Sequence, residues 1–289
     1  MSSALQASRL GRLLQVISAE RMGPYHYGGA TLAAAMARYS ANVAVCEAFY
    51  PVLHVLEIAL RNRLFDVITR ELPKRYPGVK AAGTSAAGTT IIATWLDPQW
   101  LDQTWPVGLP PLFPKNAVRD IDDAKGRILG RDPDTKALTP MPHSRPVTAG
   151  KLVATMDFGF WVGLFHASFV FRSAKDPRLW GKAAGSPDLL ALVFPHAPAK
   201  YQSVNALKVV RDRLHRLRKF RNRVFHHEPV ATPLRRDPLL MYQTAVETIA
   251  WIEPEAARAV EGLGRLRAVA SAQGERAVHA ATHRVLRRR

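Results

Sequence analysis

Apolar residues recur at helical spacing along most of this chain, and the breaks between periodic stretches fall at proline and glycine. Leu10, Leu13, Leu14 and Ile17 share a face, with Arg9 and Arg12 off it, which predicts a helix over 3–20. Gly23-Pro24 and Gly28-Gly29 mark a turn region. The pattern from Thr31 to Leu72 is helical again, with Pro51 in its middle. Proline suits a first turn and disrupts an interior, so two helices are expected, at 31–49 and 51–72. Val118, Ile121, Ile128 and Leu129 predict a helix from Asn116 to Leu129. An aromatic helix follows at 148–171, a basic one at 200–227, and two more at 235–251 and 254–286. The proline-rich stretches 73–115, 130–147 and 172–199 read as loops, with a short strand or helix near Thr90–Leu96. The fold class is mainly α: a helical bundle with long proline-rich loops and C-terminal helices.

Composition changes the picture in one respect. In 289 residues, 41 Lys and Arg face 23 Asp and Glu, a formal net charge of +18, while 47% of the chain is hydrophobic. The bulk is globular, and its excess of cations points to a polyanion, nucleic acid before an anionic membrane surface. The single cysteine, Cys46, lies in an apolar helical pattern and cannot form an internal disulfide, which suits burial in a reducing cytoplasm. No signal-peptide pattern stands at the N-terminus. The aromatic stretch Leu152 to Phe171 is interrupted by Asp157, His166 and Ser168, so it reads as a core helix and not a membrane span.

The chemistry concentrates on the basic helix. Leu207, Val210, Leu214, Leu217 and Val224 form one apolar seam, and the same spacing places Arg221 on it. A cation on an apolar stripe needs an anion or partner, or else snorkels to the surface. Asn222 and His226 are four apart and so within reach of a side-chain hydrogen bond, which would select one imidazole tautomer. Pro229 ends the helix and leaves His226 and His227 in its last turn, a setting that favours an imidazolium but is also an ordinary histidine C-cap. Arg218, Lys219 and Arg223 flank this end as phosphate-binding candidates, with His227 beside them.

Arg221-Asn222-Arg223-Val224-Phe225-His226 resembles the Arg, polar residue, three spacers, His signature of HEPN ribonucleases. Its extension through His227-Glu228-Pro229 is closer to the Abi-like abortive-infection branch. Two further segments are similar to that branch: Leu56-Glu57-Ile58-Ala59-Leu60-Arg61-Asn62 and Phe158-Gly159-Phe160-Trp161-Val162-Gly163-Leu164-Phe165. The resemblance implies an HEPN-like helical domain over 1–252, carrying a proline-rich insertion at about 73–147, and a basic helical extension at 253–289. It implies a metal-independent endoribonuclease toxin of an antiphage system, acting as a homodimer, with Arg221 and His226 catalytic and Asn222 supporting. A structured RNA antitoxin is a further implied partner. Glu57, Arg61 and Asn62 are expected to support the cleft or the RNA, although Glu57 and Arg61 also suit an intrahelical ion pair.

No cofactor and no metal site is expected, since neither paired cysteines nor histidines at zinc-binding helical spacing appear. Two rival readings remain: a non-catalytic RNA-binding protein gripping a structured regulatory RNA, and a DNA-binding regulator.

Overall fold

The computed structural model describes residues 11–84, 91–139, 147–169, 179–180, 187–230 and 237–270. The architecture is mainly helical. Among the described residues no β-strand forms, and two isolated antiparallel bridges pair Ala82 with Thr94 and Arg131 with Leu138. The chain divides into two compact units that alternate along the sequence. Unit one takes Met1–Leu56, Lys219–Ile249 and Glu255–Arg289; unit two takes Glu57–Arg218 and Ala250–Pro254.

The expected break at Pro51 does not occur. One helix runs from Leu32 to Arg75, through Pro51. An interior proline costs on the order of 3 kcal/mol. Phe49, Val52, Leu53 and Leu56, which flank it, are each at most 2% exposed. Burying side chains of this size is worth roughly 1.5–3 kcal/mol apiece, so packing outweighs the lost hydrogen bond. This is also the one helix, among the described residues, with the length and composition to cross a membrane. Its most apolar stretch is 44% buried, and Leu60, Leu64, Val67 and Ile68 extend a fully buried face along the helix.

In unit one, Met22, Tyr25, Ala35 and Met36 form a small cluster, and the Tyr25 and Tyr39 rings meet edge to face at 5.6 Å. Phe49 packs on Phe220 at 4.7 Å. Cys46 is 2% exposed, and burial pushes its thiol up to about 11, so it stays protonated at neutral pH. The expected 254–286 helix is interrupted: helices span Pro254–Leu263 and Leu266–Val269, separated at Gly264. A Cβ on Gly264 would lie 2.3 Å from the Tyr242 hydroxyl, so a side chain there would force the Tyr242 ring to shift. Residues 271–286 of that expected helix lie outside the described residues, as do 3–10 of the first.

Unit two has an aromatic core. Trp95, Trp161, Trp180, Phe165 and Phe194 are all fully buried, and Phe165 stacks on Trp180 at 4.7 Å. The aromatic stretch is not the single helix expected. It forms Ala149–Thr155, Phe158–Gly163 and a 3₁₀ turn at Ala167–Phe169. Asp157 causes the break by capping the second piece, its carboxylate accepting from the Phe160 N–H at 2.8 Å.

The proline-rich stretch carries more order than its composition suggests. It includes the helix Pro98–Asp102 and the expected helix, here Lys115–Leu129, with Ala117, Ile121 and Ala124 buried but Val118 facing outward. Asp97 joins the two. It is 0% exposed, caps the first helix through Gln99 N–H at 3.0 Å, accepts from Ile92 N–H at 3.1 Å, and pairs with the buried Lys125 ammonium at 3.0 Å. Asp97→Ala would strand that cation, which costs roughly 3–5 kcal/mol. Thermal unfolding should therefore start well below the wild-type temperature, whereas an unchanged transition would mean that the pair contributes little.

The basic helix begins later than expected. Two 3₁₀ turns, Ala199–Tyr201 and Val204–Ala206, precede the α-helix Leu207–Phe225. Asp188 holds the second turn, accepting from Val204 N–H at 2.7 Å. The seam is as periodicity predicts: Leu207, Val210, Leu214, Leu217 and Val224 are 0–5% exposed.

Candidate functional site

The end of the basic helix is built by a backbone motif of the Schellman type. The Glu228 N–H donates to the Arg223 carbonyl at 2.9 Å, and the His227 N–H to the Val224 carbonyl at 3.2 Å. His227 occupies the left-handed position that glycine usually fills, at φ 55°. The α-helix thus ends at Phe225, and His226 and His227 stand in the turn beyond it, both exposed. Pro229 follows, where it cannot extend the helix.

Two residues that sequence reasoning missed hold this turn from far away in the chain. Arg21 donates through one terminal nitrogen to the carbonyls of His226 at 3.2 Å and His227 at 2.9 Å. Those carbonyls belong to the helix end, where the dipole is negative, so a guanidinium is well placed there. Asn42 is 1% exposed; its amide donates to the Glu228 carbonyl at 3.3 Å, and its side-chain oxygen accepts from the Val230 N–H at 2.8 Å. A polar Asn42 inside the apolar run 31–49 was the only sequence signal of this clamp.

The predicted catalytic residues share this end. The guanidinium of Arg221 is half-buried and lies over the Phe225 ring, 4.2 Å from its centroid. Phe225 in turn meets Tyr50, with ring centroids 5.1 Å apart. Arg221 therefore neither snorkels away nor sinks into the core: its cation rests against an aromatic face. The expected side-chain bond between Asn222 and His226 is not formed among the described residues. Their link is the backbone bond from His226 N–H to the Asn222 carbonyl at 2.8 Å.

Of the predicted RNA contacts near this end, Lys219 is exposed, and Arg223 pairs with Glu228 at 3.2 Å. Such a partly exposed pair is worth at most about 1 kcal/mol and yields easily to a phosphate. In unit two, Arg218 lines a cleft with its Nε buried and hydrogen-bonded to nothing among the described residues. Higher on the same helix, the guanidinium of Arg213 sits over Trp251 at 4.3 Å, a structural use of one of its cations. Of the supporting candidates, all in unit two, Asn62 is exposed and Glu57 half-buried. Arg61 has its Nε buried without a hydrogen-bond partner among the described residues.

What the helix end can do chemically follows from these placements. It offers an exposed imidazole, an oriented guanidinium and a backbone held rigid by Arg21 and Asn42. That is a pair of groups for proton transfer and for stabilising charge on a phosphate. The chain matches no family model, no curated protein and no solved structure.

Proposed function

We propose that this protein is a metal-independent endoribonuclease of the HEPN type, similar to Abi-like abortive-infection toxins. The observation that carries the reading is an exposed His226 and an Arg221 whose guanidinium lies over the Phe225 ring, both at the end of a strongly basic helix. The nucleophile would be the RNA's own 2′-hydroxyl. It attacks the adjacent phosphorus, the bond from phosphorus to the 5′-oxygen breaks, and the products are a 2′,3′-cyclic phosphate and a free 5′-hydroxyl. His226 takes part in moving the proton from the 2′-oxygen or to the leaving 5′-oxygen. Arg221 stabilises the charge that builds on the phosphoryl oxygens.

Because the nucleophile comes from the substrate, the chemistry calls for no activated water. Cleavage of mixed RNAs should continue undiminished in excess EDTA and leave cyclic-phosphate ends. Loss of cleavage in EDTA with recovery on adding a divalent ion would rule the mechanism out. In this reading the enzyme is a cytoplasmic homodimer acting in antiphage defence, restrained by a structured RNA. The high net charge equally favours the second reading, a protein that grips a structured RNA without cutting it. Tight RNA binding with no cleavage products, after bound nucleic acid is stripped, would select that one.

A further inference from the structure

Unit two contains a cleft of about 460 Å³, within the range of small-molecule sites. Phe160, Leu164 and Phe169 supply an apolar wall, and two carboxylates, Asp120 and Asp157, stand at it with Arg218. Paired acids are unexpected in a chain this basic. Asp157 and Arg218 converge over Gly159: a Cβ there would lie 2.9 Å from Asp157 Oδ1 and 3.4 Å from a terminal nitrogen of Arg218. No ion pair joins the two among the described residues, and Arg218 Nε stays buried with its N–H unused. Leaving such a donor unsatisfied costs on the order of 1–3 kcal/mol, and the terminal nitrogen over Gly159 is the part of the guanidinium a ligand would meet.

We propose that this cleft is a guanine-nucleotide subsite, with Arg218 donating to O6 while Asp157 and Asp120 accept from N1–H and the N2 amino group. The choice of base follows from its edge. One cation beside two carboxylates complements the order acceptor, donor, donor, and among the four RNA bases only guanine presents that order on its pairing edge. Single-stranded RNA is commonly read in this way, by an unstacked base lodged against apolar or aromatic side chains with its pairing edge hydrogen-bonded. Burial, and then the Asp157 and Asp123 carboxylates, raise the Asp120 carboxyl above its usual range against the pull of Arg119 and Arg127. Two incoming N–H donors would relieve that strain on the ionised form. At the mouth, the Ser168 N–H donates to His166 Nδ1 at 3.2 Å, so the neutral ring carries its proton on Nε2. That leaves a donor for a ribose or phosphate oxygen.

The subsite goes beyond the nuclease reading and does not need it. Calorimetric titration of the full chain with GMP, IMP, AMP and CMP tests it. GMP should bind at least tenfold tighter than AMP and CMP, with IMP, which lacks the N2 amine, in between. Asp157→Asn keeps a helix-capping side chain but should weaken GMP binding about tenfold, and Arg218→Gln should do likewise. Circular dichroism would confirm that both variants are folded. Equal binding of all four nucleotides, or wild-type GMP affinity in both variants, would overturn the proposal. Competition with an oligoribonucleotide carrying one guanosine, against its inosine twin, identifies the source. Stronger displacement by the guanosine strand than by its inosine twin assigns the site to RNA, and no displacement by either assigns it to a free nucleotide; either result upholds guanine recognition. A chain that binds GMP but cuts no RNA keeps the subsite and sinks the nuclease reading, and the reverse result does the opposite.

Discussion

Replacing His226 with alanine is expected to lower RNA cleavage by roughly 100- to 10,000-fold, the usual worth of general acid–base help. RNA binding, followed by filter retention, should change little, because one imidazole adds almost nothing to the attraction of a chain with a net charge of +18. The neighbouring histidine supplies the control. His227 sits at φ 55°, where a side chain is strained and glycine is at ease. His227→Gly should therefore fold at least as well as the parent and lose far less cleavage than His226→Ala, no more than a lost RNA contact costs. A dead His227→Gly beside an active His226→Ala would mean that the roles of the two histidines are reversed.

The second large effect is expected at Arg221. Removing a preorganised group that stabilises transition-state charge typically costs about 100- to 1,000-fold in turnover, and Arg221→Ala should fall in that range. Arg221→Lys should rescue little. The ammonium has neither the flat face that rests on Phe225 at 4.2 Å nor the fork that holds two phosphoryl oxygens. Arg221 also bears on assembly. If two copies of the chain meet at their helix ends, a two-fold contact brings both Arg221 side chains to one phosphate. They would repel in the empty site and be satisfied when RNA enters. Heterodimers of wild type with Arg221→Ala should accordingly cut more slowly than wild-type dimers. Sedimentation showing a monomer that cleaves at full rate would exclude a shared site.

Local repetition in the sequence foretold what depends on residues three or four apart. The buried seam Leu207, Val210, Leu214, Leu217 and Val224 was legible, as were the helix Lys115–Leu129 and the stop before Pro229. So was the presence of Arg221 and His226 at one helix end. Each of these rests on helical geometry, which a linear pattern encodes. Where the reading departed from the structure, either core burial or a capping bond had overruled the helical periodicity. Pro51 stays inside a 44-residue helix because the apolar residues around it are buried, and Asp157 divides the aromatic stretch by turning its carboxylate onto Phe160 N–H. The site shows the same division. The bonds from Arg21 to the His226 and His227 carbonyls span more than 200 residues, and those of Asn42 to Glu228 and Val230 nearly as many. The approach of Asp120, Asp157 and Arg218 to one cleft likewise joins three separate stretches of the chain. The sequence by itself determined the mainly helical class, the buried faces that its periodicity marks and which residue types stand at the helix ends. Tertiary structure alone decided which backbone is held, which cations stay open and where acids meet them, because those outcomes depend on packing free energies that no periodicity records.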